Sequence, residues 1–251
     1  MRKSVLIGIL VCVLLPIFSV IVSAQDASKN GTGSAAAGTS APISAASTPV
    51  DLARAAIAGQ GGEKFRNLKS LVLIGTVELY APNSTQSLAG KFAIVTAGEK
   101  VRIDVTAPVL SFQQIFDGQH SYNSLPNMPP LPPPSTFGLP VLLKYDQPGY
   151  KVEAIPDQKK RRGFKITDPE GNSTDFYVDP ANGHLTGFLT QRNGYTFAVE
   201  NSKTKEIDGV LVPYSFSWRL EMKQGAAFAE YTVKDAKLNQ PVGDDVFAIP
   251  N

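Results

Sequence analysis

From residue 71 to the carboxyl end, apolar residues recur at every second position in short runs separated by turn residues. Successive side chains of a strand point to opposite faces, so this period marks an antiparallel sheet with one apolar face. The clearest run is 211–222. Val212, Tyr214, Phe216, Trp218, Leu220 and Met222 share one face, while Leu211, Pro213, Ser215, Ser217, Arg219 and Glu221 share the other. A helical period would mix the two sets. Almost no reactive side chain interrupts the pattern, so the sheet reads as a surface for holding apolar material.

The same alternation predicts strands at 71–80, 88–97, 100–107, 109–116, 119–124, 150–155, 163–167, 174–178, 185–191, 195–201, 211–222 and 227–238. Turns are expected at Gly98, Asp117–Gly118, Glu170–Gly171, Asn182–Gly183, Asn193–Gly194 and Asp208–Gly209, where asparagine, aspartate and glycine admit left-handed backbone. Ahead of the strands, Thr48 is a good N-cap, Pro49 suits the first helical position and the Asp51 charge suits the helix amino end. A helix from Pro49 to about Ala58 follows, with Val50, Ala53 and Ile57 as its apolar stripe and Gly59 to end it. Gly61 and Gly62 then open a short helical turn carrying Phe65 and Leu68. No strand precedes these glycines and no Gly-Lys-Ser/Thr ending follows, so they are hinges and caps rather than a phosphate cradle. The predicted class is α+β, mainly β. We expect an open half-barrel of about ten or eleven antiparallel strands in simple succession, covered by an N-terminal helix and by loop or lid elements.

Arg2 and Lys3 precede an apolar run over 5–22, and Val22, Ser23 and Ala24 form a small-residue cleavage site, which predicts a signal peptide over 1–24. If the leader is not cut, the run approaches the length of a membrane anchor. Cys12, the one cysteine, lies inside that run. The mature chain then has no disulfide, no thiolate metal site and no cysteine nucleophile. Residues 25–47 are alanine, serine, glycine and threonine with hardly an apolar anchor, which predicts a disordered linker; residues 48–251 form one domain. About 200 residues bury roughly 70% of their unfolded surface, sufficient for one core. The chain has 24 Lys plus Arg and 22 Asp plus Glu, and removing Arg2 and Lys3 leaves 22 of each, which argues against a nucleic-acid partner.

Catalytic and metal-binding patterns are absent from the residues. His120 and His184 each sit beside a turn without ligands at metal spacing, no serine occupies a nucleophile elbow, and Asp244 with Asp245 reads as an exposed loop. Lys159, Lys160, Arg161 and Arg162 are the strongest charge cluster, a solvated hairpin tip or a contact for lipid headgroups or a partner. Prolines at 126, 129, 130, 132, 133 and 134 force an insert outside the sheet, a stiff loop bridging two strands or lidding the barrel mouth. Phe137, Leu139, Val141, Leu142 and Leu143 follow it as a short apolar lid element. Sequons stand at Asn30, Asn83 and Asn172.

The leader, the glycine-hinged helix, the turn at 117–122, the Asp179-Pro180-Ala181-Asn182-Gly183 turn and the closing Leu238, Asn239, Gln240, Pro241, Phe247 and Pro250 resemble the outer-membrane lipoprotein-sorting carriers (LolA and LolB-like) over about residues 48–251. That resemblance implies a strongly bent antiparallel sheet closed by helices, whose concave apolar face accepts acyl chains crossing the periplasm. The expectation is a periplasmic, monomeric, non-enzymatic carrier of lipoprotein or lipid acyl chains, without a cofactor. The alternative is an envelope sensor or scaffold that uses the same fold to contact a protein partner, through the proline-rich loop or the basic run. The alternation nominates Val77, Leu79, Phe92, Ile94, Ile103, Val105, Phe112, Phe176, Leu185, Phe197, Phe216 and Trp218 as cavity lining, several of which must serve as core beneath the helix.

Overall fold

The alternating segments pair into a twelve-stranded antiparallel sheet that does not close on itself. The computed structural model describes residues 43–82, 84–125, 131–192, 194–223 and 225–250. The leader, the linker up to residue 42, the sequons at Asn30 and Asn83, prolines 126, 129 and 130, and Asn193 of one predicted turn lie outside the described residues. Strands β1 to β5 are Ser70–Tyr80, Ser87–Ala97, Lys100–Thr106, Ser111–Phe116 and Ser121–Asn123. Strands β6 to β12 are Lys151–Ala154, Arg162–Thr167, Ser173–Val178, Leu185–Arg192, Tyr195–Ile207, Val210–Met222 and Gly225–Leu238.

The spatial order is β5-β4-β3-β2-β1-β12-β11-β10-β9-β8-β7-β6. Each half is the expected meander, but simple succession fails at two places. The last strand, β12, pairs along the first, from Leu71 opposite Leu238 to Tyr80 opposite Phe228. That pairing satisfies the backbone groups of a β1 edge that would otherwise be open. As a result β5 and β6, neighbours in sequence, occupy opposite edges. The insert between them therefore has to cross the sheet. The β1–β12 seam carries a bulge between Ile74 and Gly75. A side chain at Gly75 would place its Cβ 2.0 Å from the Thr232 carbonyl oxygen, so only glycine admits this approach. At the β10–β11 turn Asp208 and Gly209 both have positive φ, 52° and 79°, the twist that suits a tight hairpin.

Helix α1 covers Pro49–Gly59 and starts with the expected cap in its full reciprocal form. The Asp51 amide donates to Thr48 Oγ1 at 3.2 Å, and the Thr48 amide donates to Asp51 Oδ2 at 3.0 Å. The buried face differs from the expected stripe. Leu52, Ala53, Ala55, Ala56 and Ile57 are buried, while Val50 is 40% exposed. Three alanines let the helix sit close against the strands, so positions on either side of a narrow stripe are covered. The β8–β9 turn comes as close: a Cβ on Gly183 would lie 2.7 Å from the Ala55 carbonyl oxygen. Helix α2, Glu63–Arg66, buries Phe65.

Residues 43–47, placed in the linker by composition, are held at the domain. Ile43 packs on the core and Arg162 donates to the carbonyls of Ser44 and Ser47. The insert forms a 3-10 turn at Pro134–Thr136 and helix α3 at Leu139–Leu142, with Val141 and Leu142 fully buried. A second 3-10 turn, Asp244–Phe247, packs on the sheet face opposite Ile103 and Val105: Arg102 Nη1 donates to the Val246 carbonyl at 2.8 Å. Asp244 and Asp245 are exposed, as expected, and Asp244 pairs with Lys100 Nζ at 2.7 Å. No helix among the described residues is long and apolar enough to cross a membrane.

Candidate functional site

On the inner face the alternation delivers aromatic side chains from β2 and from β7 through β12. Rings follow one another across the sheet from Phe164 and Phe176, stacked at 5.3 Å, through Phe188 and Phe197 to Trp218. From Trp218 the series continues to Tyr231, which stacks on Phe216 at 4.8 Å and meets Phe92 edge-on at 4.9 Å. Such pairs contribute about 0.5–1.5 kcal/mol each beyond area burial, and interlocked rings leave little room for rotamer change. The inner face is therefore a preformed apolar floor.

At one end of this floor the sheet, the β1–β2 hairpin and the insert line an open cavity of about 540 Å³. That volume lies within the range of about 300–1,000 Å³ typical of small-molecule sites. Leu79 and Leu88 come from the first hairpin, Val109, Leu110 and Phe112 from the β3–β4 turn and β4, and Leu131, Pro132 and Phe137 from the insert. Phe197, Trp218, Leu220, Ala227, Ala229 and Tyr231 complete the apolar wall. Polar edges are contributed by Gln114, Thr190, Arg192 and Tyr195. Among the described lining residues Arg192 is the one that is charged. Burial pushes the Tyr231 hydroxyl far above its ordinary ionisation range, so it stays protonated.

Of the residues nominated from sequence, Leu79, Phe112, Phe197 and Trp218 lie on the cavity wall. Val77, Phe92, Ile94, Ile103, Val105, Phe176, Leu185 and Phe216 lie instead in the closed core. They are on the nominated face but share one core cluster with Leu52 of α1, Phe65 of α2 and Leu142 of α3. Leu88, Leu220, Ala227 and Ala229 were missed, although they continue the same alternation toward the strand ends. Tyr231, Leu110, Leu131 and Arg192 were missed as well, whereas Phe137 belongs to the expected lid element. The insert residue among them, Leu131, carries no strand period that could place it.

The basic run divides into two pairs. Arg161 approaches Glu200 at 3.3 Å and lies over the Tyr177 ring at 5.3 Å, and Arg162 pairs with Asp157 at 3.0 Å. These arginines brace the hairpin, and Lys159 and Lys160 are left exposed. His120 is a turn residue, 3.6 Å from Asp117, and its backbone amide donates to Asp117 Oδ1. The His184 amide likewise donates to Asn182 Oδ1. The Asn172 side chain is engaged by Asp168 and Arg192.

No family model matches the chain, and no curated protein matches it. Solved structures do. A LolA superfamily protein from Nitrosomonas europaea is 14% identical, with 81% of this chain covering 99% of that one at a TM-score of 0.50. This is the LolA-like fold. A DUF1329 family protein from Desulfovibrio piger shares it at 11% identity, 80% of this chain covering 98% of that one, TM-score 0.50. An outer membrane lipoprotein-sorting protein domain from Vibrio parahaemolyticus follows at 9% identity, with coverage of 78% and 97% and a TM-score of 0.45. In the LolA-like frame the twelve strands form the open half-barrel, α1 to α3 and the insert cover its concave side, and the cavity opens where that cover ends.

Proposed function

We propose that this chain is a periplasmic carrier or binding protein that reversibly holds acyl chains of lipoproteins or lipids, with no covalent step. The observation that supports it is the apolar cavity of about 540 Å³ at the end of an aromatic floor, walled by Leu79, Phe112, Phe197 and Trp218 among the nominated residues. Residues 1–24 would direct export, and the domain from residue 48 would carry the cargo.

Each buried methylene contributes about 0.8 kcal/mol, so a chain of some fifteen contributes about 12 kcal/mol before ordering costs. That corresponds to roughly nanomolar binding without any polar recognition. A carrier must also let go. A wall of apolar contacts, with few directed hydrogen bonds, suits release.

Native mass spectrometry with lipid extraction tests this reading, on the full chain expressed with its own leader and purified from the periplasm. A copurifying acyl species is expected. An empty protein that also fails to take up a fluorescent fatty acid would overturn the carrier reading in favour of an envelope sensor or scaffold with a protein partner.

A further inference from the structure

Arg192 ends β9, is half-buried, and lies on the wall of the largely apolar cavity. Nη1 donates to Thr136 Oγ1 at 2.7 Å in the insert, and Nη2 donates to Asn172 Oδ1 in the β7–β8 turn. Both acceptors are neutral. The Asp168 carboxylate bonds to the other end of the Asn172 amide, at Nδ2, and so meets Arg192 only through that side chain. Among the described residues no carboxylate lies within ion-pair distance of Arg192, whereas Arg161 and Arg162 on the neighbouring hairpin each have one. Among the described residues the lining includes no other cation and no acid.

A guanidinium has five N–H donors, and a charge held in an apolar wall without a counter-ion is costly unless the ligand supplies one. We infer that Arg192 reads an anionic head, and that the cavity takes an anionic amphiphile whose carboxylate or phosphate meets this guanidinium while its chain lies against Trp218 and Phe197. The inference rests on the acyl-binding reading and narrows it: neutral diacyl or ester-linked chains would leave the charge unanswered. Arg192 also ties the insert to β9, so any loss of binding has to be separated from loss of that tie.

The test compares cis-parinaric acid with its methyl ester on the delipidated full chain at pH 8, for the wild type, Arg192→Gln and Arg192→Lys, each checked for an unchanged melting transition. The wild type is expected to bind the acid about tenfold or more tighter than the ester, as a charge-assisted contact would give. Arg192→Gln should abolish that preference while ester binding stays, and Arg192→Lys should keep part of it. Equal affinity of the wild type for acid and ester would overturn the inference and leave the acyl cavity standing. Equal loss of both probes in Arg192→Gln would assign the arginine to holding the insert and also overturn it. If neither probe binds the wild type, the carrier reading itself fails. Inorganic phosphate or acetate displacing the acid at micromolar concentration would replace the amphiphile by a small anion.

Discussion

Phe216 and Trp218 stand two positions apart on the same face, yet they do different work. Phe216 is 5% exposed and locked between Phe92 and Tyr231, so Phe216→Ala should cost about 3–5 kcal/mol in urea unfolding, and Phe216→Asp should not fold. Trp218 is half-buried at the cavity wall, so Trp218→Ala should lose less stability and weaken acyl binding instead. Denaturation and binding measured side by side on both variants check this split. At the start of α1, the hydroxyl and amide of Thr48 hold the Asp51 carboxyl below its ordinary value of 3.8. A depressed folded value means that the stabilisation is present above the unfolded pKa and is lost as pH falls through the folded one. The melting-temperature gap between wild type and Thr48→Ala should therefore be open at neutral pH and narrow below about pH 4, as followed by circular dichroism.

Within single elements the chain was readable where the signal is local. The capping pair Thr48 and Asp51 lies within one turn, and the Asp208–Gly209 hairpin declares itself in two residues. Pairings between distant segments were not readable, because alternation marks a face and leaves the neighbouring strand open. The β1–β12 seam is such a case, and Gly75 within it looked like any glycine in a strand. Gly75→Ala should be the most damaging of the strand-interior glycine substitutions, since its Cβ would lie 2.0 Å from a backbone oxygen, against 2.8 Å at Gly90 and 2.5 Å at Gly187. A melting series over Gly75→Ala and Gly90→Ala tests this, and equal losses would place the seam elsewhere. Alternation also leaves open the position along a strand: Val105 and Phe112 are cross-strand partners, one in the core and the other at the cavity. In the insert, Leu142 is fully buried, so Leu142→Ala should cost about 2–5 kcal/mol, which urea unfolding reads directly. A segment named for its prolines is thus anchored by its aliphatic residues.

At the scale of the whole molecule, the order of the strands explains the cavity. Because β12 joins β1, the chain's two meanders share one inner face, and the connection from β5 to β6 must pass from one edge to the other. That passage brings Leu131, Pro132 and Phe137 over the aromatic floor and leaves a lined space at one end. The central claim is that an acyl chain occupies this space. The chain contains one tryptophan, Trp218, and it lies on the cavity wall, so the native protein carries its own reporter. Titration with a fatty acid brominated near mid-chain should quench Trp218 emission saturably, at one equivalent per protein. An unquenched tryptophan in a folded, delipidated protein would contradict the account.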